Sequence, residues 1–298
     1  MSFPAFNAIP VGVRYMLLSA FAFSLMTSFV KLVSVDGIPV FEIVAARALV
    51  SLVISYLDVK RKRLSVWGNN KKLLIARGAV GSLALICVYY AVATLPLAEA
   101  TILQYLHPVF TALLALVFLK ERIQASTMAC IVLCISGLAL IVSPEFSAGA
   151  SSELPLFSVG VALLGAFGSA VAYVLVKRLA NTEDSSVIIF YFPLIALPLS
   201  VVLLGNDFVM PTMEGVVLLI LIGVFTQIGQ VGLTKAMKTE VASKATAYSY
   251  VQVVFSIFFG WLFFSELPAT WTWAGGGLII LGALINVMGS RKGAAKSS

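Results

Sequence analysis

Charge is scarce in this chain. Of 298 residues only 11% are Asp, Glu, Lys or Arg, against 60% hydrophobic, and the mean hydropathy is +1.04. A soluble protein of this size must present a polar exterior, so the scarcity excludes an ordinary water-soluble domain. Cysteine is rare too: Cys87, Cys130 and Cys134 fall inside apolar runs, which points to small packed side chains and no disulfide framework. His107 is the single histidine. No Cys/His/carboxylate group has ligand spacing, so neither a metal nor a cofactor is expected. The alternating segments of about ten residues that mark a membrane barrel are absent. So are a nucleotide-binding glycine loop and a Ser/His/Asp arrangement, and the chain does not read as an enzyme. The first eleven residues carry neither Lys nor Arg, and the run that follows is of full spanning length, so it reads as a retained anchor rather than a cleaved signal.

What the sequence has is a series of apolar runs, each near the roughly 20 residues a helix needs to cross a bilayer. Ten are read, near 12–33, 38–58, 73–94, 98–119, 126–143, 156–176, 186–205, 213–236, 242–264 and 270–289. Short breaks with turn residues separate them: Asp36-Gly37-Ile38-Pro39, Leu95-Pro96, Gly205-Asn206-Asp207 and Leu267-Pro268. The expected fold is an all-α membrane protein.

The chain also nearly repeats itself. A shift of 145 carries Ala100, Thr101, Tyr105, Val109, Phe110, Phe118 and Glu121 onto Ala245, Thr246, Tyr250, Val254, Phe255, Phe263 and Glu266. Near the start the shift is 146, and Leu17, Phe21, Val30 and Lys31 match Leu163, Phe167, Val176 and Lys177. Five spans per copy is an odd number, so the copies must enter the membrane in opposite senses, as in many secondary transporters. The expected units are 1–147 and 148–298, each a five-helix repeat.

The net charge of +7 is distributed as membranes require, not as nucleic acids do. Eighteen of the 20 basic residues fall on one side, including Lys60 to Arg63, Lys71, Lys72 and Arg77 around the second loop. The opposite loops hold mostly acids: Asp36, Glu145, Glu153, Asp207, Glu214 and Glu266. Basic loops stay cytoplasmic, which places both termini there, and the 60–63 cluster is expected to lie against anionic lipid headgroups. Nucleic acid is not expected as a partner. Without an organelle-targeting segment, the inner (plasma) membrane is the expected location.

Spans four and nine carry the clearest functional pattern. Thr101, Gln104, His107 and Thr111 share one helical face, and their counterparts are Thr246, Ser249, Gln252 and Ser256. Polar groups in hydrocarbon must find partners, so these stripes should face the bundle interior. They either line a wet cavity or serve as packing seams between helices. Pro108 cannot donate a backbone hydrogen bond, and a kink there would leave the Gln104 carbonyl free for a ligand or water. Gln227, Gln230 and Thr234 share a face of span eight, and Ser82 and Tyr89 sit at equivalent places in span three. Arg47, halfway along span two, either meets a substrate carboxylate or phosphate or anchors structure. Lys31 and Lys177 are repeat equivalents at opposite faces; they either bracket the two mouths of a pathway or are an ion-pair partner of Asp36 and an ordinary cytoplasmic lysine, respectively. Glu42 and His107 are the candidates for proton coupling. Gly275, Gly282 and Gly289 in span ten, with Cys130 and Gly137 in span five, form small-residue seams at the periphery or between protomers of a homodimer.

Leu97-Ala98-Glu99-Ala100-Thr101, His107-Pro108-Val109-Phe110-Thr111 and Leu119-Lys120-Glu121-Arg122 resemble the EamA-type carriers of the drug/metabolite transporter superfamily. The stretch from Ala242-Ser243 to Phe264-Ser265-Glu266 looks like a second copy, and Ala45-Ala46-Arg47 resembles a recurrent arginine of the second span. The second copy lacks the proline of Pro108 and the basic residue before its glutamate. The resemblance implies ten helices in two inverted halves around a central pathway, carrying a small polar or amphipathic metabolite such as an amino acid, organic acid or nucleotide derivative, often outward. A lipid flippase or scramblase is the alternative. The residues expected to contact solute are Gln104, His107, Gln252 and Tyr89, with Thr111, Ser256, Gln227, Gln230 and Arg47 beside or behind them.

Overall fold

The computed structural model describes residues 10–95, 97–149, 155–265 and 270–295, with every side chain in those ranges except those at 35, 93, 97–99, 102, 142–149 and 290–295. Among these residues all regular structure is helical: α1 (Val11–Val35), α2 (Val40–Arg61), α3 (Lys71–Thr94), α4 (Leu97–Gln104), α5 (His107–Phe118), α6 (Ala125–Gly149), α7 (Leu156–Leu179), α8 (Ser185–Leu204), α9 (Met213–Thr239), α10 (Ala242–Ala247), a 3-10 turn at Tyr248–Tyr250, α11 (Val251–Phe264) and α12 (Thr270–Ala295). Spans four and nine are each broken in two, as α4/α5 and α10/α11, so the helices make ten crossings. Pro96, Glu153, Glu266, Leu267, Pro268 and Lys296 lie outside the described residues, as do the side chains of Glu99, Glu145, Arg291 and Lys292.

The boundaries follow from local chemistry. Pro10, Pro39 and Pro155 stand directly before α1, α2 and α7, where a missing N–H costs nothing. Asn70, Asp184 and Thr212 accept the N–H of Leu73, Ser186 and Gly215 to start α3, α8 and α9. Gly37 (φ +76°) and Gly205 (φ +57°) end α1 and α8 in the left-handed region that glycine tolerates.

The helices pair symmetrically. α1 lies along α9 and α3 along α7, while α2 pairs with α8 and α6 with α12. Exchanging the two halves turns the first pair into the second and maps each of the last two onto itself. That is an inverted two-fold repeat of five spans. Leu49, Val53, Leu57, Leu83, Leu113, Val132 and Leu284 are exposed apolar side chains on the outer faces, as contact with lipid requires.

The glycine seam is used inside the chain. A Cβ on Gly137 would stand 2.5 Å from the Gly275 carbonyl, and one on Gly275 would clash with the Gly137 carbonyl. α6 and α12 therefore touch backbone to backbone, reinforced by Thr127 donating to Asn286 at 3.0 Å. These glycines thus pack α6 against α12 within the chain, where small residues let the backbones approach.

Candidate functional site

The two broken spans meet at their breaks. Tyr105 and Tyr250, equivalent under the repeat, stack with ring centroids 5.8 Å apart and planes 25° from parallel. The Tyr250 hydroxyl donates to the Tyr105 carbonyl at 2.8 Å. His107 Nδ1 lies 3.1 Å from the Gln104 carbonyl, and Nε2 lies 3.4 Å from Ser249 Oγ. Ser249 Oγ in turn donates to the Thr246 carbonyl at 2.6 Å, so toward the ring it only accepts. Each ring nitrogen thus faces an acceptor, and a neutral imidazole bonds one of them at a time. The ring also packs edge-on against Tyr173 of α7, 5.3 Å between centroids.

This corrects the expectation for Pro108. The Gln104 carbonyl is not left open to a ligand: the His107 ring occupies it, and the next carbonyl, Tyr105, is taken by Tyr250. Pro108 is not what sets the break either, since the second copy breaks at the equivalent place with Val253 where a proline would stand.

The rest of the expected face divides into satisfied and open groups. Thr111 Oγ1 donates to the His107 carbonyl at 2.8 Å, and Ser256 Oγ pairs with Ser24 Oγ of α1 at 2.7 Å. Both are packing contacts. The side-chain amides of Gln104 and Gln252 form no hydrogen bond among the described residues and keep part of their surface accessible. Tyr89 does not join them. It lines a separate crevice with Phe41, Val44, Ser82, Ala196 and Ser200, between α2, α3 and α8.

A second polar region lies on α9. Gln227 Nε2 donates to Ser55 of α2 at 2.9 Å, and Gln230 Oε1 accepts from Arg77 Nη2 of α3 at 3.1 Å. Arg47, buried at 7% exposure, lines a crevice with Phe192, Pro193, Gln227 and Gln230. Arg77 is a second correction. Grouped by sequence with the basic loop, it lies inside α3 with only 3% of its surface exposed, its guanidinium 4.8 Å over the Phe192 ring. The signal was available, because the expected limits of span three, 73–94, already enclosed it.

The ends of the bundle hold the remaining candidates. Glu42 is 5% exposed, and its Oε2 accepts the Val209 N–H at 2.9 Å, tying α2 to the loop before α9. Lys31 sits 4.3 Å over the Phe264 ring. At the basic end Lys177 Nζ donates to the Glu240 carbonyl at 2.6 Å and lies 3.9 Å from Glu121. Glu121 Oε2 accepts the Ala242 N–H at 2.9 Å, capping α10 from the opposite half. Burial pushes the Glu121 carboxyl up, and the neighbouring N–H groups and Lys177 only partly offset that. Beneath this latch Val13, Met16, Leu74, Leu179, Ile188, Met237 and Tyr248 form one buried cluster, so the basic end is sealed. Glu121, Glu240, Tyr105 and Tyr250 were not named as site residues by sequence, although for Glu121 and these two tyrosines the repeat match was a usable signal; Tyr173, the repeat equivalent of Thr27, belongs to the aromatic and polar groups expected on span six.

Among the described residues no group of three or more His, Cys, Asp or Glu is placed to hold a metal.

The profile of the EamA-like transporter family matches residues 10–143 and again 156–288. A pseudopaline exporter of Pseudomonas aeruginosa is 36% identical over 283 residues, covering 95% of this chain and 97% of that protein. Human solute carrier family 35 member G1 is 33% identical over 283 residues, covering 91% of this chain and 77% of that one. A solved crystal structure superposes with a TM-score of 0.82 over 94% of this chain and 98% of its own, at 17% identity, a likeness of fold. Two matches to one profile, on a chain folded as two inverted copies, make this protein a member of the EamA-like transporter family.

Proposed function

We propose that this multi-pass membrane protein is a secondary carrier that moves a small polar or amphipathic metabolite by alternating access, with the units 1–147 and 148–298 rocking about the junction of spans four and nine. The observation that carries the proposal is that junction. Two discontinuous helices abut there, with Tyr105 stacked on Tyr250, His107 against Ser249, and Gln104 and Gln252 on the same two broken spans with part of their surface accessible. Broken helices at the midplane of inverted repeats are where such carriers bind solute. The sealed basic end supports gating there, with Lys177 and Glu121 as the latch and Lys31 at the opposite mouth.

We place the basic end at the cytoplasmic face of an inner (plasma) membrane; the distribution of Lys and Arg supports the orientation. Export is favoured by the relative named for it. A homodimer through spans five and ten would have to use their exposed faces, such as Met128, Val132, Leu281 and Leu284, since the glycines are engaged within the chain.

The test is counterflow of labelled amino acids, organic acids and nucleoside derivatives in liposomes holding the purified protein. At least one solute should exchange, and His107→Ala combined with Gln252→Ala should cut the rate at least about tenfold, the scale of losing a pair of polar contacts. Full exchange by that double variant would remove the proposed site. A fluorescent-lipid arm that translocates while no solute does would replace the solute carrier with a lipid one.

A further inference from the structure

We infer that Arg77 is the cationic centre of an oxyanion subsite at the seam of α3 and α9, and that the carried solute presents a carboxylate to it. The inference rests on the carrier reading above. A guanidinium is always charged, and Arg77 is almost wholly buried inside a membrane span. Among the described residues it has no carboxylate partner. Gln230 accepts from Nη2, while Nε and Nη1 are buried with no hydrogen-bond partner. Buried donors are nearly always paired, and those on a charged group most of all.

The neighbourhood repeats the signature. Thr226 Oγ1 and Thr234 Oγ1, hydroxyls on the face of α9 that also holds Gln230, are buried with no partner and can donate. Arg47 brings a second positive charge to the crevice that Gln230 and Phe192 line, and that crevice has no acid in its wall. Two cations, several unpaired polar atoms and no internal anion define a place that an incoming oxyanion completes. A carboxylate matches the planar guanidinium and accepts the open N–H groups. The halves differ here: the repeat equivalents of Arg77 and Arg47 are Ile222 and Phe192. The subsite therefore gives the solute one orientation across a symmetric scaffold.

The test uses the full chain in nanodiscs, reading thermal unfolding with succinate, with its uncharged diamide succinamide, and with inorganic phosphate, all at matched ionic strength. Succinate should raise the midpoint by a few degrees, and succinamide should not. Arg77→Gln should erase the succinate shift, while Arg77→Lys should keep part of it. Gln230→Glu places a carboxylate beside Arg77. It should raise the midpoint of the ligand-free protein and abolish the succinate response, which a variant that merely misfolds would not do. Equal shifts from succinate and succinamide, a succinate shift that survives Arg77→Gln, or no gain from Gln230→Glu would each overturn the subsite. A shift from phosphate alone would overturn its carboxylate form. A succinate response in a protein that exchanges no labelled solute would leave the subsite and remove the carrier; exchange without any succinate response would do the reverse.

Discussion

Spans four and nine are two copies of one unit that reach the same broken geometry by different means. The first has Pro108 just after its break. The second has none and passes through a 3-10 turn at Tyr248–Tyr250. What they share is direct contact at the break, the repeat equivalents Tyr105 and Tyr250 stacked on each other and His107 of the first against Ser249 of the second. The comparison teaches that the break belongs to the junction between halves and not to the proline. Where the copies diverge, at Arg77 against Ile222 and Arg47 against Phe192, the divergence marks what the fold alone does not need.

The largest effect should come from the paired helices α6 and α12. Gly137 and Gly282 are repeat equivalents, but their surroundings differ. A Cβ at Gly137 meets the Gly275 carbonyl at 2.5 Å, whereas one at Gly282 meets the Cys130 carbonyl at 3.1 Å. Gly137→Ala should destabilise by roughly 3 kcal/mol and Gly282→Ala by about 1 kcal/mol, within the range for overpacked cores. Unfolding midpoints in detergent check this, and equal losses would show that the seam is as symmetric as the sequence.

Next comes the tyrosine pair. Tyr250→Phe leaves the Tyr105 carbonyl without its donor and should cost about 1–3 kcal/mol, the penalty of an unsatisfied buried group. Tyr105→Phe removes a hydroxyl with no such role and should stay within about 0.5 kcal/mol. The same midpoints, with counterflow rates beside them, separate the two. The smallest effect should be Pro108→Ala. Because the second copy breaks without proline, the substitution should shift stability by less than about 1 kcal/mol, small beside the roughly 3 kcal/mol that a proline costs a regular helix interior. A stabilisation of several kcal/mol, with the His107 ring released, would return responsibility for the break to Pro108.

Much of the fold was legible. Apolar runs of spanning length, the 145-residue shift and the one-sided basic loops each arise from local rules, since the bilayer acts on every segment separately. The site was legible only in part. His107, Gln104 and Gln252 stood out because polar residues at helical spacing are costly in lipid, and the structure gathers their helices at one junction. Thr111 and Ser256 looked the same in sequence yet are consumed by a carbonyl and by Ser24, because a hydroxyl has partners that spacing does not reveal. Tyr89 shares the pattern but faces a different crevice. Arg77 was hidden by its neighbours Lys71 and Lys72, and by having no polar counterpart in the other half.

By itself, then, the chain determined how many times it crosses and that its two copies run in opposite senses, because hydrophobic length and an odd span count per repeat are read from single segments. Only the packed molecule decided which polar atoms are satisfied. Hydrogen bonds such as Tyr250 to Tyr105, or the incomplete shell around Arg77, depend on atoms brought within about 3 Å from positions far apart in the chain, and no spacing rule within one helix specifies them.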